Sequence, residues 1–154
     1  MNLRIYSFAE LDPNLLYSIL RLRQQVFVIE QQSIYDDIDN LDQDAMHLCI
    51  HAQSTADVLG YLRFRLVQAA KIMKIERVVV GQPHRCKGIA KLLLNTAIEQ
   101  AHLRQIDSIN LSAQCDVTSY YQQWGFTPSG TVYDDGGIDH MDMTLSLKRK
   151  TPSQ

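Results

Sequence analysis

The chain is poor in cysteine, and the three it has, Cys49, Cys86 and Cys115, are far apart. No Cys-x-x-Cys pair occurs, so neither a disulfide framework nor a structural zinc site is indicated, and no metal is expected. This cysteine usage suits a reducing compartment. No apolar run approaches the roughly 20 residues needed to cross a bilayer. Met1 to Ser7 lacks the basic start and apolar stretch of a secretory signal. A cytoplasmic location away from membranes is therefore expected. Fifteen basic against seventeen acidic residues leave a net charge of −2, with no bulk attraction to nucleic acid. Two nucleotide-binding signatures are also missing: the Gly-Lys-Ser/Thr of a P-loop and the three-glycine fingerprint of a dinucleotide fold.

What is present fits one globular domain. At 154 residues, 45% hydrophobic and 21% charged, the chain can bury a core of its own. Residues 1–148 are expected to form a single domain and 149–154 a frayed tail. Residues 3–8 alternate like a half-buried strand. Asp12-Pro13 reads as a helix cap, followed by apolar residues at helical spacing to about Ile29. Residues 30–45 are polar and acidic, read as a loop, with Asp36, Asp37, Asp39, Asp42 and Asp44. Strand-like runs follow at Met46–Ala52, Val58–Val67 and Lys71–Val80. The last closes on Val78-Val79-Val80, as in a strand covered on both faces. A helix is predicted over Gly88–Leu103, a strand over Ile106–Ser112 and a short helix over Val117–Trp124. Two further strands flank the turn Asp134-Asp135-Gly136-Gly137, whose residues favour a hairpin. This order implies a mixed α/β sheet with helices on both faces.

The main chemical signal is the passage from Val78-Val79-Val80 through Arg85-Cys86-Lys87-Gly88-Ile89-Ala90-Lys91. A strand enters a turn that becomes a helix start, where unpaired N–H groups and the helix dipole favour anions. Small residues at Gly88 and Ala90 let phosphates approach the backbone. An ordinary strand–turn–helix with a solvated basic turn has the same local pattern.

Arg85-x-x-Gly88-x-Ala90 after a valine-rich strand resembles the acyl-CoA motif of the GNAT superfamily. Gln114, Val117, Tyr121 and Gly125-Phe126 resemble its second motif, with Gln114 for the usual Asn and Val117 for the usual Ala. Leu20-Arg21-Leu22-Arg23-x-x-Val26-Phe27-Val28-x-Glu30-Gln31, Tyr35-Asp36-Asp37-x-Asp39, Leu111-Ser112-Ala113-Gln114 and Asp135-Gly136-Gly137-Ile138-x-His140-Met141 look like the ElaA-type branch. The resemblance covers roughly residues 10–145. It implies the acyl-CoA N-acyltransferase fold, with two central parallel strands that splay apart around pantetheine. It implies acetyl-CoA as cosubstrate and transfer of acetyl to a primary amine on a small molecule or peptide, the acceptor being unspecified. Val78, Val79 and Val80 would offer backbone groups to pantetheine, and residues 85–91 would hold the diphosphate. Gln114 would bridge to pantetheine, and Tyr121 would protonate the departing thiolate. Without the motif, Tyr121 would read as a core aromatic beside Trp124 and Phe126.

Three residues are candidate bases for the amine: Glu30 at the end of the first helix, Glu76 and His140. Glu76 shares strand parity with Val78 and Val80, which would aim it at the acyl group. His140 has a suitable intrinsic pKa. The acidic loop would either attract a cationic amine or be a solvated loop. A long last strand with free edges would allow pairing in a homodimer. The competing function is a non-catalytic acyl-CoA sensor on the same fold.

Overall fold

Asp12 starts the first helix as its sequence suggests. Its carboxylate accepts the Leu15 N–H at 2.8 Å, and Pro13 occupies the first helical position. This helix, α1 (Pro13–Arg23), runs on into a π-helical segment, Gln24–Glu30. The computed structural model describes residues 1–148, so the tail expected to fray lies outside the described residues.

Seven strands form one sheet: β1 (Asn2–Ser7), β2 (Met46–His51), β3 (Val58–Val67), β4 (Ile72–Val80), β5 (Ser108–Gln114), β6 (Thr127–Asp135) and β7 (Ile138–Ser146). Their spatial order is β1-β2-β3-β4-β5-β7-β6, and only β4 and β5 run parallel. The long helix α2 (Ile89–Leu103) makes that parallel crossover. A short helix, α3 (Thr118–Gln122), follows β5. Gly136 and Gly137 form the tight turn between β6 and β7. Both have positive φ, 63° and 82°, which suits the turn type that matches strand twist. The last strand is thus internal, with β5 on one side and β6 on the other. The edge offered for a homodimer on sequence grounds is already filled, and the outer strands of the sheet are β1 and β6.

The sheet is covered on both faces. Ile19, Leu22 and Val26 of α1 pack with Cys49, Tyr61 and Val79. Leu93, Leu94, Ala97 and Ala101 of α2 pack on the other face with Leu62, Ile75, Leu111 and Met143. The valine run serves both cores: Val79 is buried among the α1 residues, while Val78 and Val80 pack against the α2 cluster.

Two local features open the middle of the sheet. The β4–β5 pairing stops at Ile75 and Leu111, leaving the later residues of both strands without each other. At the same level β4 carries a bulge. Tyr61 faces Val79 but Arg63 faces Glu76, so β4 holds one extra residue. Arg77 takes the strain of that bulge at φ 57°, an unusual conformation for a residue with a side chain.

The acidic loop is neither a solvated loop nor a free acidic lure. Four arginines meet four carboxylates there. Arg23, fully buried, bonds Asp37 at 2.9 Å and Asp42 at 2.7 Å. Arg63 bonds Asp39, Asp42 and Glu76, and Arg65 bonds Glu76. Arg77 reaches Asp39 at 3.1 Å, and its Nε lies 2.9 Å from Asp37 in a contact too poorly aligned to count as a hydrogen bond. Burial works against charge on Asp39, yet the Arg63 contacts outweigh it and hold the carboxyl at about 2. Asp42 and Glu76 are likewise held below their ordinary values by their arginines, against the opposing effect of burial. Arginines 23, 63 and 77, far apart in sequence, each find acids of one six-residue stretch, Asp37 to Asp42.

Candidate active site

The gap between β4 and β5 becomes a cleft of about 820 Å³, within the usual range for small-ligand sites. One end is the turn into α2. Gly88 caps that helix with φ 78° and nothing within 4 Å of where a side chain would begin. Cys86 is also left-handed, at φ 61°. No side chain caps α2, so its first N–H groups remain available for an anion. Arg85, Cys86, Gly88, Ile89, Ala90 and Lys91 line this end, while Lys87 bonds the Pro83 carbonyl and stays outside the lining. The residues present fit a diphosphate: free backbone donors, two cations and an open approach.

The middle of the cleft is the end of β4. The Gly81 N–H bonds the Leu59 carbonyl at 2.9 Å. Antiparallel alternation therefore turns the N–H and C=O of Val80 away from β3 and into the gap. The Val80 carbonyl is met there by Arg85 Nε at 3.1 Å. A strand-like ligand laid in the gap would find these groups, and by the same alternation those of Val78.

Tyr121 of α3 lines the same cleft from the β5 side and is only 9% exposed. It packs edge-on against Phe126 and Tyr120. Burial, with a smaller contribution from Tyr120, pushes its phenol up to about 12, so it keeps its proton at neutral pH. The neighbouring Tyr120 stacks edge-on with Trp124, whose Nε1 donates to Asn95 of α2 at 2.7 Å. Both the packing and the cleft-facing descriptions of Tyr121 are thus true together.

The three candidate bases fall in different places. Glu30 is absent from the cleft lining and bonds Arg85 Nη2 at 2.8 Å. Glu76 touches the cleft, but the bulge reverses the parity inferred from sequence. It lies on the same side as Val79 rather than with Val78 and Val80, and its oxygens are taken by Arg63 and Arg65. His140 is half-buried in the cleft wall. Its Nδ1 lies 2.7 Å from the Ile138 carbonyl, which can only accept, so Nδ1 carries the hydrogen and Nε2 of the neutral ring has a free lone pair. Its ring stacks on Tyr133 at 6.1 Å.

The far end is closed by a segment that sequence reading left as loop. Gln31, Ser33 and Tyr35 line the cleft and reach across it. Gln114 Nε2 donates to Gln31 Oε1 at 2.9 Å, so the Gln114 amide bridges to this segment. Ser33 Oγ donates to the Gly136 carbonyl at 2.5 Å. Arg77 lies over the Tyr35 ring at 5.4 Å, and the Tyr35 hydroxyl donates to Asp37 at 2.6 Å. Residues 31–39 thus form a strap fastened to β4 on one side of the gap, and to β5 and the β6–β7 turn on the other. Gln31 closes a stretch that resembles the ElaA-type branch but takes no role from that resemblance, and Ser33 stands outside the motifs. Their partners lie 83 and 103 residues away.

Residues 17–147 match the acetyltransferase (GNAT) domain model. The chain belongs to the GNAT acetyltransferase family. It is 33% identical over 151 residues to protein ElaA of Escherichia coli K12, covering 90% of this chain and 92% of that one. The solved structure of E. coli ElaA superimposes with a TM-score of 0.84 at 28% identity, over 93% of this chain and 97% of that one. A Pseudomonas aeruginosa protein described as an acyl-CoA N-acyltransferase superimposes with a TM-score of 0.86 at 32% identity, over 94% and 99% of the two chains. The mixed sheet with splayed parallel strands is therefore the GNAT acyltransferase fold. No helix among the described residues is long and apolar enough to cross a membrane, and no cluster of three or more metal-ligating side chains occurs among them.

Proposed function

We propose that this protein transfers the acetyl group of acetyl-CoA to a primary amine. The observation that carries this reading is the meeting of three features in one cleft: the anion-ready turn at α2, the protonated Tyr121 phenol and the His140 ring, whose Nδ1 is engaged by the Ile138 carbonyl while Nε2 is left for substrate. The acyl-CoA chemistry named for the P. aeruginosa relative supports the same class.

In this reading the diphosphate rests on the N–H groups of residues 88–91, with Arg85 and Lys91 beside it. Arg85 exchanges its Glu30 partner for phosphate. The chain from diphosphate to thioester lies along Val78 to Val80, and the Val80 N–H polarises the thioester carbonyl. The amine nitrogen forms a bond to the carbonyl carbon as the carbon–sulfur bond breaks. His140 Nε2 receives the nitrogen's proton. The Tyr121 hydroxyl hydrogen-bonds to the sulfur as it departs. A thiol of about 8.5 is a stronger acid than a phenol pushed up to about 12, so CoA leaves as the thiolate, Tyr121 keeps its proton for the next turnover, and His140 passes the amine's proton to solvent. Glu76 stays engaged with its two arginines.

The test is thermal unfolding with and without acetyl-CoA, followed by turnover of the Tyr121→Phe variant. A ligand at a hundredfold its dissociation constant stabilises the fold by about 2.7 kcal/mol, and a visible shift is expected. Tyr121→Phe is expected to lower kcat by about 10²-fold with acetyl-CoA affinity kept. Stabilisation by acetyl-CoA with no turnover of any amine would instead indicate a sensor. No stabilisation would remove the cofactor assignment.

A further inference from the structure

The acceptor end of the cleft has a charge imbalance that points to a particular kind of amine. Among the ionisable side chains lining it, Glu76 is neutralised by Arg63 and Arg65, and Arg77 by Asp37 and Asp39. Asp135 lines the cleft too and belongs to no ion pair among the described residues. It is the last residue of β6, directly opposite Ile138, while Tyr133 is opposite His140. Asp135 and Tyr133 are two residues apart and so face the same side of the sheet, as do Ile138 and His140. The Asp135 carboxylate is therefore the diagonal neighbour of His140, with backbone positions about 7 Å apart. The strap limits the room around this pair. Ser33 is tied to Gly136, the residue after Asp135, and Tyr35 stands beside the same turn.

From this geometry we infer that the acceptor is a compact amine carrying a second positive charge, a short diamine, with Asp135 as its anchoring carboxylate. The inference rests on the acetyltransferase reading above and specifies its acceptor. One ammonium pairs with Asp135. The other amine, a few ångströms away, loses its proton to His140 Nε2 and attacks. A single charge at the anchor gives orientation, since only the uncharged end can advance to the thioester. A bulky polypeptide acceptor is disfavoured because the strap is fastened on both sides of the cleft.

The experiment compares CoA release with putrescine, n-butylamine and a lysine-containing peptide as acceptors, in the native protein and in Asp135→Asn. Putrescine and n-butylamine have the same carbon chain and differ in the second charge. A kcat/KM at least tenfold higher for putrescine than for either other probe is expected, with the preference over n-butylamine abolished in Asp135→Asn through a raised putrescine KM. Asp139, opposite Asp134, projects to the other side of the hairpin, and Asp139→Asn is expected to keep the preference. Equal use of putrescine and n-butylamine would overturn the inference, as would better use of the peptide or a preference that survives Asp135→Asn. These outcomes leave the acetyltransferase reading standing. Failure of acetyl-CoA to stabilise the protein would instead overturn that reading, and this inference with it.

Discussion

The two ends of the cleft are built on opposite principles. The α2 end is local: one turn, Arg85 to Lys91, supplies backbone donors, two left-handed residues and two cations within seven positions. The strap end is assembled from a distance. It joins Gln31 to Gln114, Ser33 to Gly136, and Asp37 and Asp39 to Arg77. The first end depends on groups left free by a helix start. The second depends on charges matched with one another, with Asp135 left as the cleft-lining carboxylate outside any ion pair among the described residues. A site made in this way can keep a constant grip on one substrate while the other end varies with a few side chains.

The sharpest way to break the comparison is to remove a buried partner of the strap. Arg63→Ala leaves Asp39, Asp42 and Glu76 without a shared cation. Four carboxylates then share three arginines, and a loss of about 3–5 kcal/mol is expected for the one buried charge left in excess. Urea unfolding measures it. The α2 end has no such dependence, and Arg85→Ala, with its partner Glu30 half-exposed, is expected to change stability by less than about 1 kcal/mol. A comparable loss in both variants would show that the ends are not separately built.

This division also decides what could be read from sequence. The turn was legible because its residues are consecutive and their chemistry follows from position in a helix start. Tyr121 was legible through spacing within one short segment. The strap was not, because a run of aspartates looks the same whether solvated or buried. Only the fold brings Arg23, Arg63 and Arg77 to it. Glu76 shows a second limit. Strict alternation along β4 aims it at the thioester, but one extra residue at Arg77 turns it to the other side. Nothing in the sequence around Arg77 marks that bulge, since it is held by ion pairs with Asp37 and Asp39 rather than by a glycine. The free edge of the last strand failed similarly, because β6 doubles back to cover it.

Acid separates the two ends next. Asp39, Asp42 and Glu76 have folded-state pKa values below their unfolded ones, near 4. Their stabilisation is full above pH 4 and is lost as pH falls towards about 2, where Asp39 itself takes up a proton. Unfolding free energy measured from pH 6 to pH 2 should fall mainly below pH 4. In Arg63→Ala the fall should be shallower, because Asp39 loses the contacts that chiefly hold it low, while Asp42 and Glu76 keep Arg23 and Arg65. An unchanged slope would mean that the strap's carboxylates contribute little.

At the α2 end the corresponding probe is Gly88→Ala. Gly88 sits at φ 78° with open space around it, so an added methyl meets no neighbour and acts through backbone conformation alone. A left-handed alanine costs about 1–2 kcal/mol. If the turn relaxes instead, the N–H groups of residues 88–91 lose their common aim, and acetyl-CoA binding is expected to weaken about tenfold with the amine KM unchanged. Calorimetric titration of acetyl-CoA into both proteins distinguishes a simple loss of stability from a loss of affinity.

The mildest change tests the strap's fastening alone. Ser33→Ala removes the hydrogen bond to the Gly136 carbonyl but keeps the backbone and the neighbouring Tyr35 contact. A stability loss of about 1 kcal/mol is expected, since one neutral hydrogen bond is lost and its acceptor sits in a turn. The kinetic effect should be confined to one substrate. Freed from the turn, the strap no longer fixes the wall beside Asp135, so the amine KM should rise a few-fold while the acetyl-CoA KM holds. A rise in both would mean that the strap also shapes the pantetheine gap, through the Gln31–Gln114 bridge. The two ends of the cleft would then be mechanically coupled despite being built separately.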